Sequence, residues 1–151
     1  MHNSEIQQRE FRISADKTEL DVALIHRYLC YESYWARNIP RALVEKSIAG
    51  SLCFGVYHHN QQVGFARVIS DQATFAYLAD VFILEPYRGR GLSKWLMQTI
   101  MDEPGLQGLR RWLLATLDAH GLYAQFGFAP LDKPERIMGM KPFDEYPALN
   151  S

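Results

Sequence analysis

Apolar positions along the chain recur at two periods, and the switches between them set an order of elements. "EFRIS" forms a short first strand, and in "TELDVALIHRYL" the residues Leu20, Ala23, Leu24 and Tyr28 fall at helical spacing behind a Ser/Asp/Thr-rich lead, predicting a first helix. Pro40 suits the first turn of a second helix through "RALVEKSIA", and Gly50 suits its end. Strands "LCFGVYH", "QVGFARVIS" and "TFAYLADVFIL" follow, joined by the short polar links "HN" and "DQA" of an antiparallel meander. The last of them is apolar on both parities, with Phe75, Tyr77, Val81 and Ile83 on one and Leu78, Phe82 and Leu84 on the other, so both its faces require cover. Leu92, Trp95, Leu96 and Ile100 make the stripe of a third helix, and "RRWLLAT" reads as a fifth strand. "DAHGLYAQF" reads as a short fourth helix with Asp118 as N-cap and Ala119, Leu122, Tyr123 and Phe126 on one side. The tail "GFAPLDKPERIMGMKP" adds one or two terminal strands. The sum is a mixed α/β (α+β) fold: a largely antiparallel sheet of six to seven strands with helices on both faces, in one domain spanning 1–151.

Composition narrows the partners. The 151 residues, 48% hydrophobic and 22% charged, are enough for one core. Sixteen basic against 17 acidic residues leave a net charge of −1, so there is no bulk positive field for a nucleic acid or an anionic membrane. The opening "MHNSEIQQREFRIS" lacks the apolar core of a signal peptide, and no apolar run approaches the roughly 18 residues that would cross a bilayer. A cytoplasmic location is expected. Cys30 and Cys53 lie in apolar surroundings without a CxxC pair, which argues for buried reduced thiols and against a disulfide scaffold or a metal site.

"EPYRGRGLSKWLM", residues 85–97, is where chemistry first shows. Gly89 and Gly91 permit backbone angles and close approach that a Cβ would block, and a helix starting near Leu92 leaves its first amide N–H groups unpaired. Those donors, with the positive end of the helix dipole and Arg88 and Arg90 at the rim, suit a phosphate or pyrophosphate. The P-loop pattern is absent, and the dinucleotide fingerprint would need a third glycine where Lys94 stands. A strand-to-helix turn whose glycines merely relieve strain fits the same residues.

Two motifs in register resemble the GNAT superfamily of N-acetyltransferases. "RGRGLS", Arg88 to Ser93, is similar to [Q/R]-x-x-G-x-[G/A], with Ser93 in the last small position; "TLDAHGLYAQFGF", residues 116–128, is similar to N-x-x-A-x-x-L-Y-x-x-x-G-F at Ala119, Leu122, Tyr123, Gly127 and Phe128, with Thr116 in place of asparagine. The order of elements is also that of the superfamily over residues 10–141. The resemblance implies a GNAT-like fold and acetyl-coenzyme A as co-substrate, with no metal. It implies that the backbone of Arg88, Gly89, Arg90, Gly91, Leu92 and Ser93 cradles the pyrophosphate. It further implies that the fourth strand at Val81, Phe82 and Ile83 pairs with pantetheine, that Thr116 and Ala119 flank it, and that Tyr123 donates a hydrogen bond or proton to the departing thiolate.

Asp80 is the one ionisable acid in its nearly apolar strand, which makes it a candidate to deprotonate or anchor an amine. Pairing with Arg67 on a neighbouring strand is the structural alternative. His120, beside the stripe of the fourth helix, reads as solvent-facing. Between the first two helices "RYLCYESYW" gathers Tyr28, Tyr31, Tyr34 and Trp35 with Glu32, and aromatic walls with a carboxylate suit a cationic amine, so Tyr31, Glu32 and Trp35 are candidate acceptor contacts. The reading is an N-acetyltransferase moving acetyl from acetyl-coenzyme A to a small-molecule or peptide amine, with a homodimer among the assemblies open to it. A non-catalytic acyl-coenzyme A binding or sensing module on the same fold is the alternative, and nucleotide binding without acyl chemistry is a third.

Overall fold

A computed structural model describes residues 10–148. Strands β1 (Phe11–Ser14), β2 (Leu52–His58), β3 (Gln61–Ser70), β4 (Phe75–Ile83) and β5 (Arg111–Leu114) form one sheet in the order β1-β2-β3-β4-β5. The first four are antiparallel, as the short polar links require. At the β3–β4 turn Asp71 accepts the N–H groups of Ala73 and Thr74 at 3.0 and 2.8 Å, which hold its carboxyl well below the usual carboxylate range. Strand β5 runs parallel to β4, and the crossover that a parallel neighbour demands is supplied by helix α3 (Leu92–Met101).

Helices cover both faces. On one, α3 and the short α4 (His120–Ala124) close over Val56, Val63, Leu78, Leu96, Met97 and Ile100; on the other, α1 (Val22–Arg27) and α2 (Arg41–Ala49) close over Leu24, Ile25, Leu29, Val44, Phe65 and Phe82. This double cover is why β4 is apolar on both parities. Helix α1 begins later than its apolar spacing predicts, because Lys17–Glu19 form a separate 3₁₀ turn and Asp21 caps α1 by accepting the Leu24 N–H at 3.1 Å. It then widens into a π turn, Tyr28–Glu32, which Ser33 ends by returning its hydroxyl to the Leu29 carbonyl at 2.6 Å. Both cysteines are buried and free; burial pushes the Cys53 thiol up to about 11.

The tail corrects the expected strand count: the described residues hold five strands, not six to seven. Pro130, Pro134 and Pro142 interrupt the tail, and it forms one 3₁₀ turn, Pro134–Arg136, instead of a ladder. Its far end returns to the loop between α1 and α2, where Asn38 Nδ2 donates to the Tyr146 carbonyl at 3.4 Å.

Candidate active site

The site begins with one extra residue in β4. Phe65 faces Phe82 and Arg67 faces Ala79, so Asp80 and Val81 together oppose the single residue Ala66. Asp80 adopts φ 54°, the left-handed region that Asp tolerates better than most residues. The bulge flips the alternation: Ala76 and Leu78 pack under α3 before it, Val81 and Ile83 after it. The single-parity set expected from sequence, Phe75 with Tyr77, Val81 and Ile83, is therefore divided between the two faces. Pairing of β4 with β5 ends at Leu78 and Leu114, and beyond that point the strands part.

Two neighbours hold the bulge. Asp80 Oδ2 accepts from Arg67 Nε at 2.9 Å, and Oδ1 accepts from the Trp35 indole N–H at 2.8 Å. Arg67 also donates to Ser51 Oγ at 3.0 Å, and the side chains of Arg67 and Asp80 are only 15% and 11% exposed. Removing either partner would strand the other's charge in a low-dielectric setting. Asp80 is thus engaged at both oxygens, and the pairing with Arg67 foreseen as its structural alternative is present.

Where β4 and β5 separate, a cleft of about 610 Å³ opens through the sheet. Its α1–α2 side is walled by Tyr34, Trp35 and Tyr77, and its α3–α4 side by Val81, Leu114, Ala119 and Tyr123, with Thr116, Leu117 and Asp118 between. The Leu84 N–H pairs back to Val63 of β3 at 2.8 Å, so by strand alternation the N–H groups of Ile83 and Val81 face the gap. The Ile83 carbonyl on that side is occupied by Arg88 Nε at 2.8 Å, and Phe82 turns the other way, stacking on Tyr28 at 4.0 Å.

Close to the end of β4 stands the glycine turn. Gly89 and Gly91 both hold φ 79°, which fixes glycine there, and a Cβ on Gly89 would meet nothing within 4 Å. The glycines therefore answer a backbone requirement and leave open space over the turn. Gly91 is the N-cap of α3, and no side chain caps the first N–H groups of that helix. Arg88 departs from the expected rim position. Its guanidinium is turned inward, donating Nη2 to the Tyr28 hydroxyl at 2.9 Å besides the bond to Ile83, and so ties the glycine turn to the π turn that follows α1. Burial raises the Tyr28 phenol above its ordinary value, an effect Arg88 opposes. Arg90 keeps to the outside, its guanidinium 5.7 Å from the Tyr87 ring centroid.

Tyr123, 8% exposed, borders the cleft, and burial pushes its phenol up to about 12, with Tyr34 and Asp118 adding to the shift. Asp118 is not the N-cap expected from sequence. Thr116 Oγ1 accepts the Ala119 N–H at 3.0 Å, while Asp118 is left exposed at the cleft. The T-x-x-A spacing carried that signal, since a hydroxyl reaches the N–H three residues on. Tyr34 reaches across the mouth, its hydroxyl accepting the Leu117 N–H at 3.1 Å. Tyr31 and Glu32 correct a further expectation. Both are exposed on the π turn and neither lines the cleft, whereas Trp35 does. His120 is exposed, as expected. Among the described residues no group of three His, Cys, Asp or Glu side chains is placed to hold a metal ion, and no helix is long and apolar enough to cross a membrane.

A bulged β4 thus parts from a parallel β5, and an uncapped helix N-terminus follows it in the chain. The model of the acetyltransferase (GNAT) family matches residues 22–128, and the chain belongs to that family. A crystal structure of a Xanthomonas campestris protein, provisionally described as a GNAT acetyltransferase, is 55% identical; the match covers 87% of this chain and 92% of that one with a TM-score of 0.85. A Gibberella zeae protein provisionally named an acetyltransferase is 30% identical over 93% of this chain and 84% of its own length. At the level of fold alone, a Clostridium acetobutylicum predicted acetyltransferase crystallised with acetyl-CoA is 16% identical, with 87% and 94% of the two chains covered and a TM-score of 0.62.

Proposed function

We propose that residues 1–151 form a single acetyl-CoA-binding domain that moves the acetyl group to a primary amine of a small molecule or peptide by direct attack. The observation that carries this reading is the gap between β4 and β5, which opens on an aromatic mouth and is followed in the chain by an uncapped helix N-terminus. The residues fit the co-substrate. Open space over Gly89 and unpaired N–H groups through Gly91, Leu92 and Ser93, with Arg90 outside, suit a pyrophosphate. The N–H groups of Val81 and Ile83 suit the pantetheine arm and the thioester oxygen, and Thr116, Ala119 and Leu114 border the same path.

Bound acetyl-CoA supplies the acetyl group already activated as a thioester. The N–C bond forms as the C–S bond breaks, with one proton leaving nitrogen and one arriving at sulfur. Fixed N–H dipoles at Val81 stabilise charge that builds on the carbonyl oxygen without reorganising. Tyr123 stays protonated throughout the working pH range because its pKa is about 12. The same value makes complete proton transfer to a thiolate uphill, since an ordinary thiol titrates near about 8.5. Tyr123 therefore serves as a hydrogen-bond donor to the leaving sulfur, and water completes its protonation. Asp80, with both oxygens engaged, acts by holding the bulge and is a poor base. The amine proton passes to solvent through the open mouth.

Thiol release from acetyl-CoA, followed with and without an amine panel, tests the proposal. Amine-dependent release supports it. Binding of acetyl-CoA without release under any amine would return the chain to the acyl-CoA sensing alternative.

A further inference from the structure

We infer that the acceptor is a diamine-type molecule, one amine reacting while a second cationic group rests at the aromatic mouth, and that amines bearing a carboxylate or phosphate are rejected. This rests on the acetyl-transfer reading of the cleft. The charges bordering the cleft are Arg67, Asp80 and Asp118. Arg67 and Asp80 cancel each other at 2.9 Å, and each is further bonded, to Ser51 and Trp35. That leaves Asp118, exposed and in no ion pair among the described residues, as the uncompensated charge of the lining. An anionic acceptor would find no uncommitted cation there and would meet a like charge on entering. A cationic one would find the Asp118 carboxylate.

The aromatic side chains point to the same chemistry. Tyr34 and Trp35 are 53% and 41% exposed, far more than large rings kept only for packing. They meet edge to face with centroids 5.0 Å apart, and each is pinned by its polar end: Tyr34 by Leu117 N–H and Trp35 by Asp80. Pinning the polar ends fixes the rings while leaving apolar, electron-rich surface open to the mouth, where Tyr77 adds a third ring. Electron-rich faces attract an ammonium group, and rings already fixed lose little freedom when it arrives. Arg88 and Arg90 do not alter the balance, because both belong to the glycine turn at the other end of the path and neither borders the cleft.

The test uses a matched series with acetyl-CoA at constant ionic strength: butylamine, putrescine and γ-aminobutyrate share a four-carbon chain and differ in the end group. The kcat/KM for putrescine should exceed that for butylamine by roughly tenfold, and γ-aminobutyrate should fall below butylamine. In Asp118→Asn, an exposed substitution with little bearing on folding, the putrescine-to-butylamine ratio should drop roughly fivefold. Turnover of γ-aminobutyrate equal to or above butylamine, or an unchanged ratio in Asp118→Asn, would overturn the inference while leaving acetyl transfer intact. Thiol release with none of the three but with a peptide amine would overturn it and leave the acetyl-transfer reading standing, whereas absence of release with every amine from protein that binds acetyl-CoA would overturn both.

Discussion

Burial pushes the Tyr123 phenol up to about 12 from 10.0, and the position of that phenol beside Tyr34 and Asp118 makes its charged form costly in the cleft. Losing the hydroxyl removes a hydrogen bond made mainly as sulfur departs, so Tyr123→Phe should lower kcat by about 10- to 100-fold while KM for acetyl-CoA changes little. Because the phenol stays protonated, the kcat profile of the parent protein should show no Tyr123 limb below about pH 10. Steady-state kinetics across pH would check both, and an unchanged kcat in Tyr123→Phe would remove the assigned role. Tyr123 and Trp35 were legible in the sequence because one lies in a spaced motif and the other in an aromatic run. Tyr31 and Glu32 were named with Trp35 because composition marks the whole aromatic run, and composition does not tell which of its side chains turn to the cleft once Tyr28–Glu32 coil as a π turn. Arg88 was legible as a loop cation but not as a strut, since its partners Tyr28 and Ile83 meet it only through the fold.

At the scale of the element, the bulge in β4 decides where the gap opens. Arg67 and Trp35 hold Asp80 at φ 54°, and Asn can keep both that backbone angle and a bond to the indole. Asp80→Asn should therefore retain measurable acetyl transfer with an unchanged pH profile, at some cost in stability because Arg67 loses its counter-charge, whereas Asp80→Ala, which also removes both acceptors and the residue type suited to that backbone angle, should cost more, about 3 kcal/mol. Denaturant melts with kinetics on both variants distinguish the roles. Loss of the low-pH limb of the pH profile in a folded Asp80→Asn protein would make Asp80 a base after all. The sequence marked this place by a lone acid in an apolar strand. It could not reveal the extra residue, because a strand covered on both faces has no polar side against which a change of parity would show.

Over the whole molecule, the layered order of elements was legible because each switch of period coincides with a Gly, Pro or polar joint. The terminal strands were not, since the tail's apolar residues alternate well enough while its prolines withhold ladder donors. Burial in both layers has a measurable consequence at high pH. Cys53, Tyr57 and Tyr123 are raised to about 11, about 12 and about 12, from 9.0, 10.0 and 10.0. A folded pKa above the unfolded one gives stability that is full below the unfolded value and disappears as pH rises through the folded value. Thermal melts should thus be flat with respect to these groups up to about pH 9 and fall steadily from there towards about pH 12, and a melting temperature that held level across that window would contradict the burial of all three. The most direct test of the central claim is a calorimetric titration of acetyl-CoA into folded protein, with folding checked by circular dichroism. One site per chain, competed by coenzyme A and less well by ADP, is the expected result; no heat of binding from folded protein would contradict it.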